Sequence, residues 1–130
     1  MAENGYYRDF RAHLEALDEH GKLIRITREI NKDTELMPLV RWQFRGLEEA
    51  ERKAFIFEKV IDSRSRRYAM PVTVGTLAAT TEIYAIGMMC NPGEIHERWA
   101  RAQLHPLEPV TVTRAPAQEV IWQGQDLLNG

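Results

Sequence analysis

Residues 70–89, with the sequence MPVTVGTLAATTEIYAIGMM, lie in the longest part of the chain that lacks lysine, arginine and aspartate. The apolar, β-branched residues up to Val74 predict a buried strand, and residues 75–81 are small and compatible with turns. Apolar residues resume from Ile83 to Ile86. The stretch therefore predicts two elements joined by a close-packed loop, and the rest of the chain is expected to cover it.

Length and composition predict one globular domain. The chain has 130 residues, of which 44% are hydrophobic and 28% are charged, and its formal net charge is -2. A domain of this length buries roughly two-thirds of its unfolded surface, which is enough for one core. Because the net charge is close to zero, it provides no field that would recruit nucleic acid or an acidic membrane. We therefore expect no nucleic-acid partner.

The chain is expected to be cytoplasmic. Its first ten residues contain no apolar core of signal-peptide length, and no window approaches the roughly 20 apolar residues that a membrane span requires. A single cysteine, Cys90, has no partner for a disulfide, a zinc site or a redox pair, which suits a reducing compartment. We interpret it as a small buried thiol.

Two helices and two strands are predicted before residue 70. The first helix covers residues 8–20, with Asp9 as its cap and Gly21 after its end, and its apolar stripe comprises Phe10, Leu14 and Leu17. Its other face is expected to be solvated and comprises Arg11, His13, Glu15 and Asp18.

Alternation over residues 22–28 predicts a half-buried strand, and residues 54–58 predict a short aromatic strand. The second helix runs from the caps near residue 31 to Gly46, with Pro38 in its first turn and an apolar stripe of Leu36, Leu39, Val40 and Phe44.

The strongest local signal comes after residue 90. Asn91, Pro92 and Glu94 occupy the cap, first and third positions of a capping box, and they predict a third helix whose apolar face comprises Ile95, Trp99 and Ala102. Residues 110–113 and 119–122 then predict two further strands. The irregular order of strands and helices favours an α+β fold: a single compact domain over residues 1–130, with a mixed β-sheet and about three helices packed on one face of it.

Candidate catalytic groups are few. The four histidines, His13, His20, His96 and His105, lack the spacings that bring two imidazoles onto one metal, so we interpret them as surface or packing residues. Glu94 and Glu97 are three residues apart and could converge for acid/base work, but Arg98 and Arg101 are close enough to pair with them, and a solvated face is preferred. We therefore assign no catalytic and no metal-binding residue.

Three other groups of residues have both a structural and a functional interpretation. Residues 75–80 could cradle an anion, but they lack the lysine of a P-loop and the glycine pattern of a dinucleotide site, and a tight structural loop is preferred. The basic cluster of Arg64, Arg66 and Arg67 could meet an acidic partner surface or a phosphate, although a solvated hairpin loop is the commoner meaning. Large aromatic residues anchor both cores and interfaces, so the sequence leaves open the roles of Trp42, Trp99 and Trp122.

Several short segments follow one another in a characteristic order and spacing over nearly the whole chain. They are Arg8-Asp9-Phe10, Leu14-Glu15, residues 21–26, residues 54–58, Met70-Pro71-Val72, residues 74–77, Glu82 with Tyr84-Ala85, and above all residues 115–120, APAQEV. Together these segments resemble the N-terminal region of the UbiD family of decarboxylases, which use prenylated flavin mononucleotide. The chain departs from the common pattern at Ile83, which replaces the usual arginine before Tyr84-Ala85 and puts in question the polar contact of that arginine.

The resemblance implies a carboxy-lyase that acts on an aromatic or α,β-unsaturated acid by reversible, non-oxidative decarboxylation. It also implies prenylated FMN with manganese or magnesium and potassium. In that family the flavin is held by a middle domain, and we expect the present chain to lack both this flavin-binding domain and the C-terminal domain. No catalytic, cofactor-binding or metal-binding residue is therefore carried over, and whether this chain alone is an enzyme stays open. We expect a domain or small subunit that docks on the larger flavin-carrying part through Trp122 and Ile121, with oligomers formed through that partner. The alternative is a stand-alone interaction or regulatory module.

Overall fold

A mixed four-stranded sheet built around one central strand organises the structure, a computed structural model that describes residues 6–128. Within this range the strands are β1 (Leu23–Asn31), β2 (Ala54–Ile61), β3 (Arg67–Tyr68) and β4 (Val72–Val74). The helices are α1 (Phe10–Glu19), α2 (Met37–Gly46), α3 (Thr81–Gly87) and α4 (Ile95–Leu104). The predicted α+β class with a mixed sheet is confirmed, with one helix more than the predicted three.

Strand β2 pairs on both sides. It runs parallel to β1, with Ile24 beside Phe55, and a bulge between Ile26 and Glu29 shifts the register of this pair. On its other side it pairs antiparallel with β4 near its start and with β3 near its end. Because parallel neighbours need a crossover connection, α2 lies between β1 and β2 in the chain.

Alternate residues of β2 belong to two separate apolar clusters, which places helices on both faces of the sheet. One cluster joins Ala54 and Ile56 to α1 and α3 and also contains Leu17, Leu23, Ala79, Ile83 and Ile86. The other joins Phe55 and Phe57 to α2 and also contains Ile30, Leu36, Val40 and Val60. Successive side chains of a strand point to opposite faces. The prediction that the helices lie on one face is therefore wrong, because a central strand that is apolar on both sides needs cover on both.

Most predicted helix ends are confirmed by their hydrogen bonds. Asp9 Oδ1 accepts a hydrogen bond from the Ala12 amide at 2.9 Å, and Gly21 adopts a positive φ of 67°. The Asn31 side chain caps a π-helical turn, Lys32–Leu36, that precedes α2, and Pro38 lies in the first turn of α2. The capping box of Asn91 and Glu94 is also present.

The organising stretch, residues 70–89, contains a strand and a helix. The strand β4 has only three residues and is half-buried rather than buried, because it lies at an edge of the sheet and pairs only with β2. The apolar residues from Ile83 to Ile86 belong to helix α3, whose N-cap Thr80 accepts a hydrogen bond from the Ile83 amide at 3.0 Å.

His13 is buried, which contradicts its predicted place on the solvated face of the first helix. Its exposed fraction is 5%, and its Nε2 lies 2.8 Å from the carbonyl oxygen of Thr76. His13 precedes the fully buried Leu17 by four residues, so both share the inner face of α1. Phe10, which was assigned to the apolar stripe, is instead 47% exposed and packs against the imidazole ring.

The two strands predicted over residues 110–113 and 119–122 are absent from the described part of the chain. Both segments are exposed, and a 3-10 turn, Pro116–Gln118, lies between them. Their β-branched residues fit an extended strand, but a strand is stable only when it pairs with a neighbour and buries one face. The described residues provide neither for these segments.

We expect the two faces of β2 to carry much of the stability. Substitution Phe57→Ala should lower the free energy of unfolding by about 3–5 kcal/mol, because Phe57 is fully buried and its loss leaves a cavity. Phe44→Ala is the matched control: Phe44 is 40% exposed, with Arg52 over its ring, and its loss should cost about 1 kcal/mol. Urea unfolding of both variants measures the difference, and equal losses would contradict this account of the core.

Candidate functional site

Residues 104–128 form an exposed apolar segment, which we call the C-terminal segment. Its nine large apolar side chains are between 49% and 87% exposed and comprise Leu104, Leu107, Val110, Val112, Val120, Ile121, Trp122, Leu127 and Leu128. Where exposed apolar side chains gather into a large patch, they mark a site of interaction. The segment is therefore the strongest candidate interaction site among residues 6–128.

Local hydrogen bonds shape this segment. The Gln118 side chain accepts a hydrogen bond from the Ala115 amide at 3.1 Å, and the Gln118 amide donates to the Ala115 carbonyl oxygen at 2.9 Å. Pro116 occupies the first turn between them, where a missing N–H costs nothing. A second 3-10 turn, Gly124–Leu128, follows. These turns fix the local direction of the backbone while the apolar side chains stay in solvent.

Helix α4 connects the C-terminal segment to the domain and is itself lightly packed. None of its residues is buried, and Trp99 is 47% exposed. The indole N–H of Trp99 donates a hydrogen bond to the hydroxyl oxygen of Tyr84, on α3, at 2.5 Å. Because this contact joins α4 to α3, it orients the start of the C-terminal segment.

A groove with a volume of about 1150 Å³ lies between α1 and the start of α4. Its apolar floor includes Ala12, Ala16, Ile86 and Met89, and its polar rim includes Arg8, Glu15, Glu19, His20, Glu94 and Arg98. Cys90, predicted to be a buried thiol, is half-buried at its edge. The rim therefore carries groups of both charges and is not the purely positive or N–H lining that is typical of a phosphate site.

The histidines and carboxylates considered for catalysis are spread over the fold. His13 is buried, and His20 is exposed, with its Nδ1 2.7 Å from the Ala16 carbonyl oxygen; His96 and His105 are both exposed. Glu94 accepts hydrogen bonds from the Asn91 amide and side chain, at 2.8 and 3.0 Å, so its carboxylate serves as a cap. Glu97 lines a small cleft together with Glu94, Arg98 and Arg101. Within residues 6–128, no three His, Cys, Asp or Glu side chains are placed to share a metal ion.

The loop over residues 75–80 has structural contacts. Gly75 adopts a φ of +75°, and a Cβ added there would lie 3.1 Å from the Cβ of Ala79. Thr76 and Thr80 are buried: the Thr76 carbonyl oxygen contacts His13, and Thr80 caps α3. These contacts support the preferred interpretation of a tight structural loop, as opposed to an anion cradle.

Gln43 is a buried structural residue for which the sequence predicted no role. Its side-chain amide donates to the Lys53 carbonyl oxygen and accepts from the Lys53 amide, each at 2.8 Å. This pair of bonds ties α2 to the start of β2, and the exposed fraction of Gln43 is 3%. A glutamine within a helix carries no local signal of such a contact, because its partner is ten residues away.

Of the arginine cluster, Arg64 and Arg66 lie in the turn between β2 and β3 and Arg67 begins β3, in agreement with the hairpin interpretation. Asp62 Oδ1 accepts hydrogen bonds from the amides of Arg64 and Arg66, each at 2.9 Å. These amide donors, Arg66 first, lower the pKa of Asp62. Asp33 reaches the same turn from the π-helical turn that precedes α2, and its carboxylate accepts a hydrogen bond from the Ser63 amide at 2.9 Å. The turn is therefore held from two elements.

Comparison with known proteins identifies one protein family. Residues 14–103 match the model of the 3-octaprenyl-4-hydroxybenzoate carboxy-lyase N-terminal domain. The match includes all four strands and α2, α3 and most of α4, and it ends one residue before the C-terminal segment. No solved structure gives a significant match to this chain. Within the described residues, no helix has the length and apolar character needed to cross a bilayer.

We expect Asp33 to make stability depend on acidic pH. Its pKa is lowered to about 2, chiefly by the Lys32 ammonium and then by the Ser63 amide. The carboxylate therefore stabilises the fold fully above the unfolded aspartate pKa of about 3.9, and this stabilisation is lost as the pH falls toward 2. Thermal unfolding of Asp33→Asn should show a lower melting temperature than the parent chain at pH 6 and a shrinking difference between pH 4 and 2. Glu108→Gln, an exposed carboxylate in the C-terminal segment, is the control, and a constant Asp33→Asn difference would contradict the assignment.

Proposed function

The chain belongs to the UbiD family through its 3-octaprenyl-4-hydroxybenzoate carboxy-lyase N-terminal domain, and from this membership we propose that it serves as the N-terminal domain or small subunit of such a carboxy-lyase. The complete enzyme would decarboxylate an aromatic or α,β-unsaturated carboxylic acid, reversibly and without oxidation, in the cytoplasm. Prenylated FMN, manganese or magnesium, and potassium would be bound by the larger, flavin-carrying part. In this proposal the present chain is non-catalytic and docks on that part.

The exposed C-terminal segment is the observation that carries this proposal. Residues 14–103 match the family domain, and nine exposed large apolar residues follow them directly. Covering these residues with a partner surface would remove apolar area from water, which is the main favourable term in most protein association. A docking role explains both the apolar character of the segment and its position at the edge of the domain.

Within the segment, Trp122 and Ile121 are the proposed anchors of the interface. Trp122 is 49% exposed and Ile121 is 59% exposed, and they are neighbours in the chain. Tryptophan is enriched among the few residues that supply most of the binding energy of an interface, because it buries a large rigid ring. The indole N–H could also donate a hydrogen bond to a carbonyl oxygen of the partner.

The proposed lack of catalytic residues in this chain agrees with the tasks that its polar groups perform. His13 tethers α1 to the loop before α3, and Glu94 closes a capping box. Glu49 accepts hydrogen bonds from the Thr81 amide and hydroxyl, at 2.8 and 2.7 Å, and so caps α3 from a distant loop. Each of these polar groups is therefore engaged in a structural hydrogen bond.

Native purification from the source cell tests the proposal. An N-terminally tagged copy is isolated and its intact mass and visible absorbance are recorded. We expect a product of 15.1 kDa plus the mass of the tag that brings down a larger, flavin-coloured protein, or a several-fold heavier tagged product with the same colour if the domain is part of one long chain. A colourless product of 15.1 kDa plus the tag, without a companion protein, would overturn the docking proposal and favour the stand-alone interaction module.

Substitution of Trp122 tests the proposed anchor. Trp122→Ala should weaken binding to the flavin-carrying protein by about thirtyfold or more, which corresponds to roughly 2 kcal/mol for a central interface residue. Trp42→Ala is the matched control, because Trp42 is 65% exposed on α2 and lies outside the C-terminal segment. Calorimetry of the purified pair measures both affinities. If the Trp122→Ala chain binds as tightly as the parent, the anchor is elsewhere.

A further inference from the structure

The turn between β2 and β3 carries a second surface, distinct from the C-terminal segment and independent of the proposed function. We call residues 62–68 the basic hairpin. Its sequence, DSRSRRY, has three arginines, and residues 63–67 are all exposed. An exposed arginine-rich turn is usually a solvated loop, but the backbone of this turn is held by several hydrogen bonds.

Two carboxylates and the hairpin backbone fix the turn. Asp62 accepts from the amides of Arg64 and Arg66 and also from the Tyr68 hydroxyl, the last at 3.1 Å. Backbone bonds from the Asp62 amide to Arg66 and from the Ser65 amide to Asp62 close the loop, and Ser65 takes the left-handed conformation with φ 61°. Asp33 holds the Ser63 amide from outside the hairpin. The backbone of the basic hairpin is therefore preorganised.

The same bonds leave the guanidinium groups available. Both oxygens of Asp62 accept from donors of the turn: Oδ1 from the amides of Arg64 and Arg66, and Oδ2 from the Tyr68 hydroxyl. Arg66 lies over the Tyr68 ring at 5.4 Å, and Arg67 pairs with Glu29 yet keeps 81% of its side chain exposed. In the described part of the chain, no acidic side chain pairs with Arg64. A rigid backbone thus presents Arg64 and Arg66 to solvent.

We propose that the basic hairpin is a docking surface for a carboxylate-rich segment of a protein partner. Guanidinium groups pair with carboxylates through charge-assisted, often bidentate hydrogen bonds, and a fixed backbone lowers the entropic cost of forming them. A protein partner fits better than a nucleic acid. Specific binding to nucleic acid draws on many phosphate contacts, whereas this surface is one turn on a chain of formal charge -2.

An NMR titration with a short oligo-glutamate peptide tests the proposal on the full chain. We expect the peptide to shift the amide signals of residues 62–68 first. The double variant Arg64→Gln/Arg66→Gln should weaken binding about tenfold. The matched control is Arg41→Gln/Arg45→Gln, which removes the same charge from two exposed arginines of α2 and should change the affinity less than twofold. Equal weakening in both double variants, or shifts centred outside the hairpin, would overturn the proposal.

Substitution of Asp62 distinguishes binding that depends on the preorganised turn from binding that depends on attraction between charges alone. Asp62→Ala removes a negative charge, so attraction alone predicts tighter binding of the peptide, whereas loss of the preorganised turn predicts binding weakened severalfold. Asp62→Asn keeps a side-chain oxygen for the amides of Arg64 and Arg66, and this variant should bind at least as tightly as the parent. Tighter binding by Asp62→Ala would overturn the proposal. The proposal would also be overturned if the parent chain bound a single-stranded oligonucleotide, with the same net charge as the peptide, at residues 62–68 and as tightly as it binds the peptide.

Discussion

The burial of β2 on both faces is the constraint on which the rest of the structure depends. Ala54 and Ile56 contact one apolar cluster and Phe55 and Phe57 contact the other, so the sheet needs a helical layer on each side. The parallel pairing with β1 then requires a crossover, and α2 supplies both the crossover and the second layer. The stretch over residues 70–89 completes the first layer with α3 and the edge of the sheet with β4.

Local signals predicted the elements whose ends are set by nearby residues. Asp9, Gly21, Asn31 and the capping box at Asn91 act over one turn of chain, and the structure has them as the sequence indicates. His13 and Gln43 were not predicted as buried residues, because their partners, Thr76 and Lys53, lie 63 and 10 residues away. A polar residue on a helix is assigned to solvent by periodicity, and only the three-dimensional contact shows that its hydrogen bond is made inside.

The candidate interaction site was predicted in part. Trp122 and Ile121 were expected to lie on an unpaired apolar face, and both are exposed in the structure. Residues 110–113 and 119–122 were also predicted as strands, which the described residues do not form. The two results have a common cause, since β-branched and aromatic residues favour strands only where a neighbour pairs and covers them. The sequence pattern therefore indicated residues that favour a strand when a neighbour covers them. It did not indicate whether the described part of the chain provides that neighbour.

The two proposed surfaces differ in what each would contribute to binding a partner. Burial of the C-terminal segment is driven by apolar area, which gives affinity but selects weakly among apolar surfaces. Pairing with the basic hairpin depends on direction and charge, and such pairing sets orientation and association rate more than affinity. The apolar residues of the segment tolerate a flexible backbone, whereas the arginines gain from a fixed one. The structure follows this division: two carboxylates hold the hairpin rigid, while only short local turns shape the segment that carries Trp122.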